Sequence, residues 1–223
     1  MMTSKNIKPL ISKLKKQFSN QPLLQSFSEI ICNQMSQRTL AILNYTELCE
    51  FILILYDFSI VKYHSKSNIF LGKPKLKSKA LTNEYILKMS QPDASHLFFT
   101  LEEIFRKYNL RTSRRLHPIF DIVRNSFGKI TSIAPASNQS ERRSLVFTAF
   151  NLTDDSVADD LLKDIKFHMK AVQLAENDQS SIRSKLTQVH YQLNQSTSEH
   201  KEEWMCLIDW LSNQNFSFFW IPS

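Results

Sequence analysis

The sequence predicts an α+β plait with helices before and after it. Three observations carry this. Apolar residues recur at helical spacing in the first third, then alternate as in a strand from Tyr85 to Met89. An amphipathic stripe, Leu97, Phe98, Leu101, Ile104, Phe105 and Tyr108, follows that strand. Further alternating runs lead into a Thr153-Asp154-Asp155 cap and a long helical pattern. The resulting order, strand, helix, strand, strand, further strand, helix, is that of a ferredoxin-like plait.

The elements follow in turn. Ile7, Leu10, Ile11, Leu14 and Phe18 form one helical stripe with lysines opposite, and Gln21-Pro22 ends it. Leu23 to Met35 supports a second helix, and Asn44 or Thr46 caps a third that runs to about His64. Lys66 to Lys79 holds Gly72, Pro74 and alternating lysines, and marks a domain boundary or a first sheet edge. After the Tyr85 strand, Gln91-Pro92-Asp93 reads as a turn. Leu116 to Val123 is strand-like, Asn125 to Gly128 turns, and Ile130 to Ile133 returns as a hairpin arm. A loop from Ala134 to Gln139 precedes the strand Leu145 to Leu152. The helix on Val157, Leu161, Ile165, Met169 and Val172 comes next, with helices over Asp178–Leu193 and Glu199–Leu211 and a strand over Phe216–Ile221. The expected division is a helical segment over 1–65, the plait over 66–176, and a helical linker with the start of a next module over 177–223.

Composition excludes two chemistries. The chain of 223 residues holds 2 glycines, Gly72 and Gly128, against roughly 16 at average usage. The usual phosphate-cradling loops need several glycines close together, and two distant ones build neither. Six histidines and three cysteines show no metal-ligand spacing, and no Gly-x-Ser-x-Gly elbow is present. We therefore read no catalytic residue, no metal site and no cofactor in this chain. Cys32, Cys49 and Cys206 read as reduced thiols in a cytoplasmic protein. The most apolar run, Leu48 to Val61, carries Glu50 and Asp57, so an integral membrane segment is not expected.

The formal net charge of +7 favours acidic partners. Arg106, Lys107, Arg111, Arg114 and Arg115 cluster near the end of the plait's first helix, suiting its dipole or an anionic ligand. Arg143, Phe147 and Phe150 match part of an RNA-recognition strand signature, but alternation points the two rings to opposite faces. A basic nucleic-acid-binding α+β module is the alternative reading.

Two stretches carry a family resemblance. Glu202 to Trp220, with Leu207, Ile208, Trp210, Leu211, Phe216 and Phe218, resembles the Leu-Leu-x-Trp-Leu segment of the large-type bacterial NAD-dependent glutamate dehydrogenases. Tyr85 to Ile130 is similar to that family's first ACT-like domain, including His117-Pro118 and the Arg124-Asn125…Gly128 hairpin. The resemblance spans about Asn44 to Trp220. It implies a regulatory or assembly module at the N-terminal end of a long oxidoreductase, truncated before the catalytic domain, which holds the NAD site. It also implies sister domains or subunits as partners, a homo-oligomer, and an amino-acid effector. By that likeness Gln91, Asp93, Ser95 and His96 contact the effector, and Arg114 or Arg115 holds its carboxylate. The matching loop has no glycine, which makes close backbone approach to a carboxylate harder.

Overall fold

The computed structural model describes residues 7–60, 67–74, 84–137, 141–152 and 154–212. Four helices come first: α1 (Ile7–Gln17), α2 (Pro22–Gln34), α3 (Gln37–Ile42) and α4 (Tyr45–Ser59). Pro22 opens α2, where its missing N–H leaves no helical bond unmade. Asn44 caps α4: its side chain accepts from the Glu47 amide at 3.0 Å while the Glu47 carboxylate accepts from the Asn44 amide at 2.9 Å. This helix ends at Ser59, short of the expected His64. The short α3 was not legible as periodicity; it rests on Ser36, whose hydroxyl accepts from the Thr39 amide.

The sheet is antiparallel and six-stranded. Its strands are β1 (Asn68–Gly72), β2 (Tyr85–Pro92), β3 (Thr112–Leu116), β4 (Ile119–Arg124), β5 (Ile130–Pro135) and β6 (Glu141–Phe150), with α5 (Leu97–Lys107) between β2 and β3. The strand order is β1-β2-β6-β4-β5, and β3 also pairs with β6. The α+β plait-like fold is thus present, with β6 paired on one side to β2 and on the other to β3 and β4.

Several boundaries differ from the sequence reading. Gln91 and Pro92 are not a turn but the last ladder residues of β2, opposite Ser144 and Arg143. Proline is tolerated there because it terminates the strand. The run expected as one strand from Leu116 is two, since His117-Pro118 interrupts the pairing with β6; Arg114 and Arg115 therefore sit on β3 rather than at a helix end. Ala134 and Pro135 extend β5 instead of opening a loop. The last strand begins earlier, at Glu141. The Asn125–Gly128 turn is as expected: Gly128 has φ +75°, its amide donates to the Asn125 carbonyl at 2.9 Å, and the Asn125 side chain accepts from two further amides.

The chain divides into two compact units, 1–93 with 102–164, and 94–101 with 165–223. In the first unit the helical segment and the sheet share one core, so residue 66 separates no two hydrophobic clusters. Leu14, Leu24, Ile31, Ile52 and Leu55 belong to the same buried cluster as Ile86, Phe120, Leu145 and Phe147. Phe27 meets the Phe120 ring edge-on at 5.6 Å, and Phe51 meets Phe147 at 4.9 Å. On β6 the alternate row includes Phe150, which Phe105 contacts at 5.4 Å.

The second unit holds most of α6 (Ala158–Asn194) and all of α7 (Lys201–Ser212). Two helices were expected where α6 runs unbroken for 37 residues. The cause is the absence of glycine or proline between Val157 and Gln195. Thr153 and the Phe216–Ile221 strand lie outside the described residues. Among the described residues no helix is long and apolar enough to cross a membrane.

Because head and sheet share a core, Phe27→Ala should shift one cooperative denaturant transition, by about 3–5 kcal/mol. A curve with two phases, one of them unmoved, would instead mark residues 1–65 as an independent domain.

Candidate functional site

The most unusual chemistry in the first unit lies where β2, β6 and β4 end together. Strand alternation puts Arg143 in the same row as Leu145, Phe147 and Ala149, which is the row that packs on the helical segment. Its guanidinium is fully buried. The Arg143 Nε donates to the Ser90 hydroxyl at 2.8 Å and a terminal nitrogen donates to the Ser90 carbonyl at 3.1 Å. Burial pulls the Arg143 pKa down to about 10, opposed by nearby Glu141 and reinforced by Arg124, so the group stays charged at neutral pH.

On the neighbouring positions several polar groups find local partners. His117, at the break between β3 and β4, places its Nε2 at 2.7 Å from the Ser144 hydroxyl. Burial lowers the His117 pKa from its ordinary value, with Asp93 opposing, which favours the neutral ring. Asp121 is buried and accepts from the Ser137 amide at 2.7 Å and hydroxyl at 2.6 Å. Arg124 forks onto Glu141 at 3.0 and 3.3 Å. Beside this group, a cleft of about 720 Å³ opens between α2 and the β4–β5 hairpin, with Glu29, Asn33, Gln34, His117 and Ala134 in its wall. Ser144 is buried within its strand, so the serine–imidazole contact fixes two strands rather than presenting a nucleophile.

The expected effector residues fall in different places. Gln91 is buried on β2, and Asp93 pairs with Arg142 at 3.0 Å. Ser95 and His96 belong to the second unit, where the Ser95 amide donates to the Glu176 carboxylate at 2.8 Å. His96 is exposed and has φ +62°. Arg114 is paired with Glu84, and Arg115 with Glu102. Gln91 is registered with Ser144 and Arg114 with Ala149, an interval of roughly 17 Å along extended chain. The arginines and Gln91 therefore stand at opposite ends of β6, and the structure does not gather the six residues into one site. The row reading of the RNA-like signature is also resolved: Phe147 and Phe150 are both buried under other side chains.

Among the described residues no group of three metal-capable side chains is assembled. The three cysteines are free thiols, and burial pushes Cys32 up to about 12.

Two outcomes follow from this geometry. Arg143→Met leaves the buried Ser90 oxygens without their donor and should cost roughly 2–3 kcal/mol in chemical denaturation. Adding Ser90→Ala should recover part of that loss. For His117, the folded pKa lies below the unfolded one, so its contribution is present above the unfolded value and declines as pH falls through it. Stability should drop between pH 7 and 5, and His117→Gln, which keeps a hydrogen bond without titrating there, should flatten that slope.

Comparison of the chain with protein-family models and with curated proteins returns no match to either.

Proposed function

We propose that this chain is a non-catalytic assembly module of the kind found at the N-terminal end of large NAD-dependent glutamate dehydrogenases, acting by self-association. The observation that carries the reading is α7. This helix bears Trp204, Met205, Leu207, Ile208, Trp210 and Leu211, yet none of its residues is buried. Trp204 is 52% exposed and Leu207 42%. Large aromatic and aliphatic groups half open to water on one helix are the usual anchors of protein–protein contact. The same residues belong to the stretch that resembles the dehydrogenase family. The plait-like sheet, with β4 starting just after His117-Pro118 and the Asn125–Gly128 hairpin in the expected position, supports the same reading.

An amino-acid effector held by Gln91, Asp93, Ser95, His96, Arg114 and Arg115 receives no such support, because those cations already face carboxylates. Nucleic-acid binding is likewise not favoured, since Arg106, Lys107, Arg114 and Arg115 of the basic cluster each pair with a carboxylate.

Sedimentation velocity over a range of concentrations tests the proposal. The chain should self-associate, and Trp204→Glu with Leu207→Glu should leave it monomeric with an unchanged far-ultraviolet spectrum. A monomer at every concentration, or a double variant that associates equally well, sinks the reading. The purified chain should also give no turnover of glutamate with NAD.

A further inference from the structure

A second cavity, of about 350 Å³, lies in the first unit between α4 and the β1–β2 edge of the sheet. Phe51, Ile54 and Leu55 of α4, Phe70 of β1 and Phe147 of β6 supply an apolar wall. Among the described residues the one charged group in that wall is Lys88 of β2. Its ammonium sits 4.8 Å from the Phe58 ring centre and 4.8 Å from that of Phe70. Ring faces attract a cation but offer no hydrogen-bond acceptor for its three donors. Among the described residues no carboxylate pairs with Lys88, and burial lowers its pKa.

The neighbouring stretches of sequence cannot supply that charge. Residues 61–66 and 75–83 carry five lysines and no aspartate or glutamate. Those stretches of sequence are basic, while the cavity wall is greasy. Phe70 is positioned over Gly72, where an added Cβ would stand 3.1 Å from the ring. The bare glycine lets the ring lie down against the lysine side of the cavity.

We propose that this cavity binds a small apolar monocarboxylate, its carboxylate on Lys88 and its hydrocarbon tail among Phe51, Ile54, Leu55 and Phe147. A volume of 350 Å³ accommodates roughly a dozen water-sized groups, which suits an acid of about eight to ten carbons. A single cation matches a single negative charge; a phosphate monoester would bring a second charge and want more donors. A zwitterionic amino acid would set its ammonium beside Lys88 with no acid in the wall to receive it. The cavity belongs to the first unit and α7 to the second, so failure here leaves the self-association reading standing, and the reverse holds too.

Isothermal titration calorimetry with octanoate tests the assignment, with 1-octanol and leucine as the neutral and zwitterionic comparisons. Octanoate should bind saturably and more tightly than either. Lys88→Met, which removes the half-buried charge, should weaken octanoate at least tenfold while leaving 1-octanol unaffected. Ile54→Trp, which fills the cavity, should weaken both. Absence of saturable octanoate heat, equal affinity in Lys88→Met, or tighter binding of leucine overturns the proposal. Should Lys88→Met fail to fold, Ile54→Trp and the octanoate-to-octanol ratio decide the matter.

Discussion

The structure depends on β6 being buried on both faces. Every residue from Arg143 to Phe150 is buried, and the strand is hydrogen-bonded on both edges. One row packs on the helical segment, through Leu145, Phe147 and Ala149; the other includes Val146, Thr148 and Phe150. A central strand of this kind sets the register of all its neighbours, because a slip by one residue would exchange the two rows. Arg143 is the one charged residue in that buried run, and its bonds to Ser90 favour this alignment of β2 with β6.

Much of this order was legible in the sequence, for physical reasons that differ by element. The stripe of α5 and the alternation of β2 and β6 follow from one-sided or two-sided burial, which leaves a period in the chain. The Asn44 cap and the Gly128 turn were legible because each is a local interaction within four residues. What escaped was non-local. Gln91-Pro92 looks like a turn, yet pairing with Ser144 and Arg143 makes it strand. The sharing of one core by the helical segment and the sheet depends on contacts such as Phe27 with Phe120, far apart in the chain.

The candidate sites show the same division. The basic cluster around Arg114 and Arg115 was visible as composition, but its partners Glu84 and Glu102 emerge only on folding. Pairing of this sort turns an apparent anion-binding patch into surface and edge bracing. Conversely, Lys88 was unremarkable in a strand of mixed residues, and only the packing of α4 and β1 beside it makes it distinctive. Arg143 had a usable signal: strand phase alone places it in line with Leu145 and Phe147.

The outermost described strands, β1 and β5, have a consequence for how copies of the chain can meet. The first is five residues long and is followed two residues later by Pro74, while the other ends in Pro135 and is bulged against its neighbour near Arg124. Short, kinked, proline-terminated borders are poor templates for a further backbone ladder. Growth of the sheet into fibrils is thereby discouraged even at high protein concentration, and recognition between molecules is left to side chains, whose chemistry can discriminate one neighbour from another.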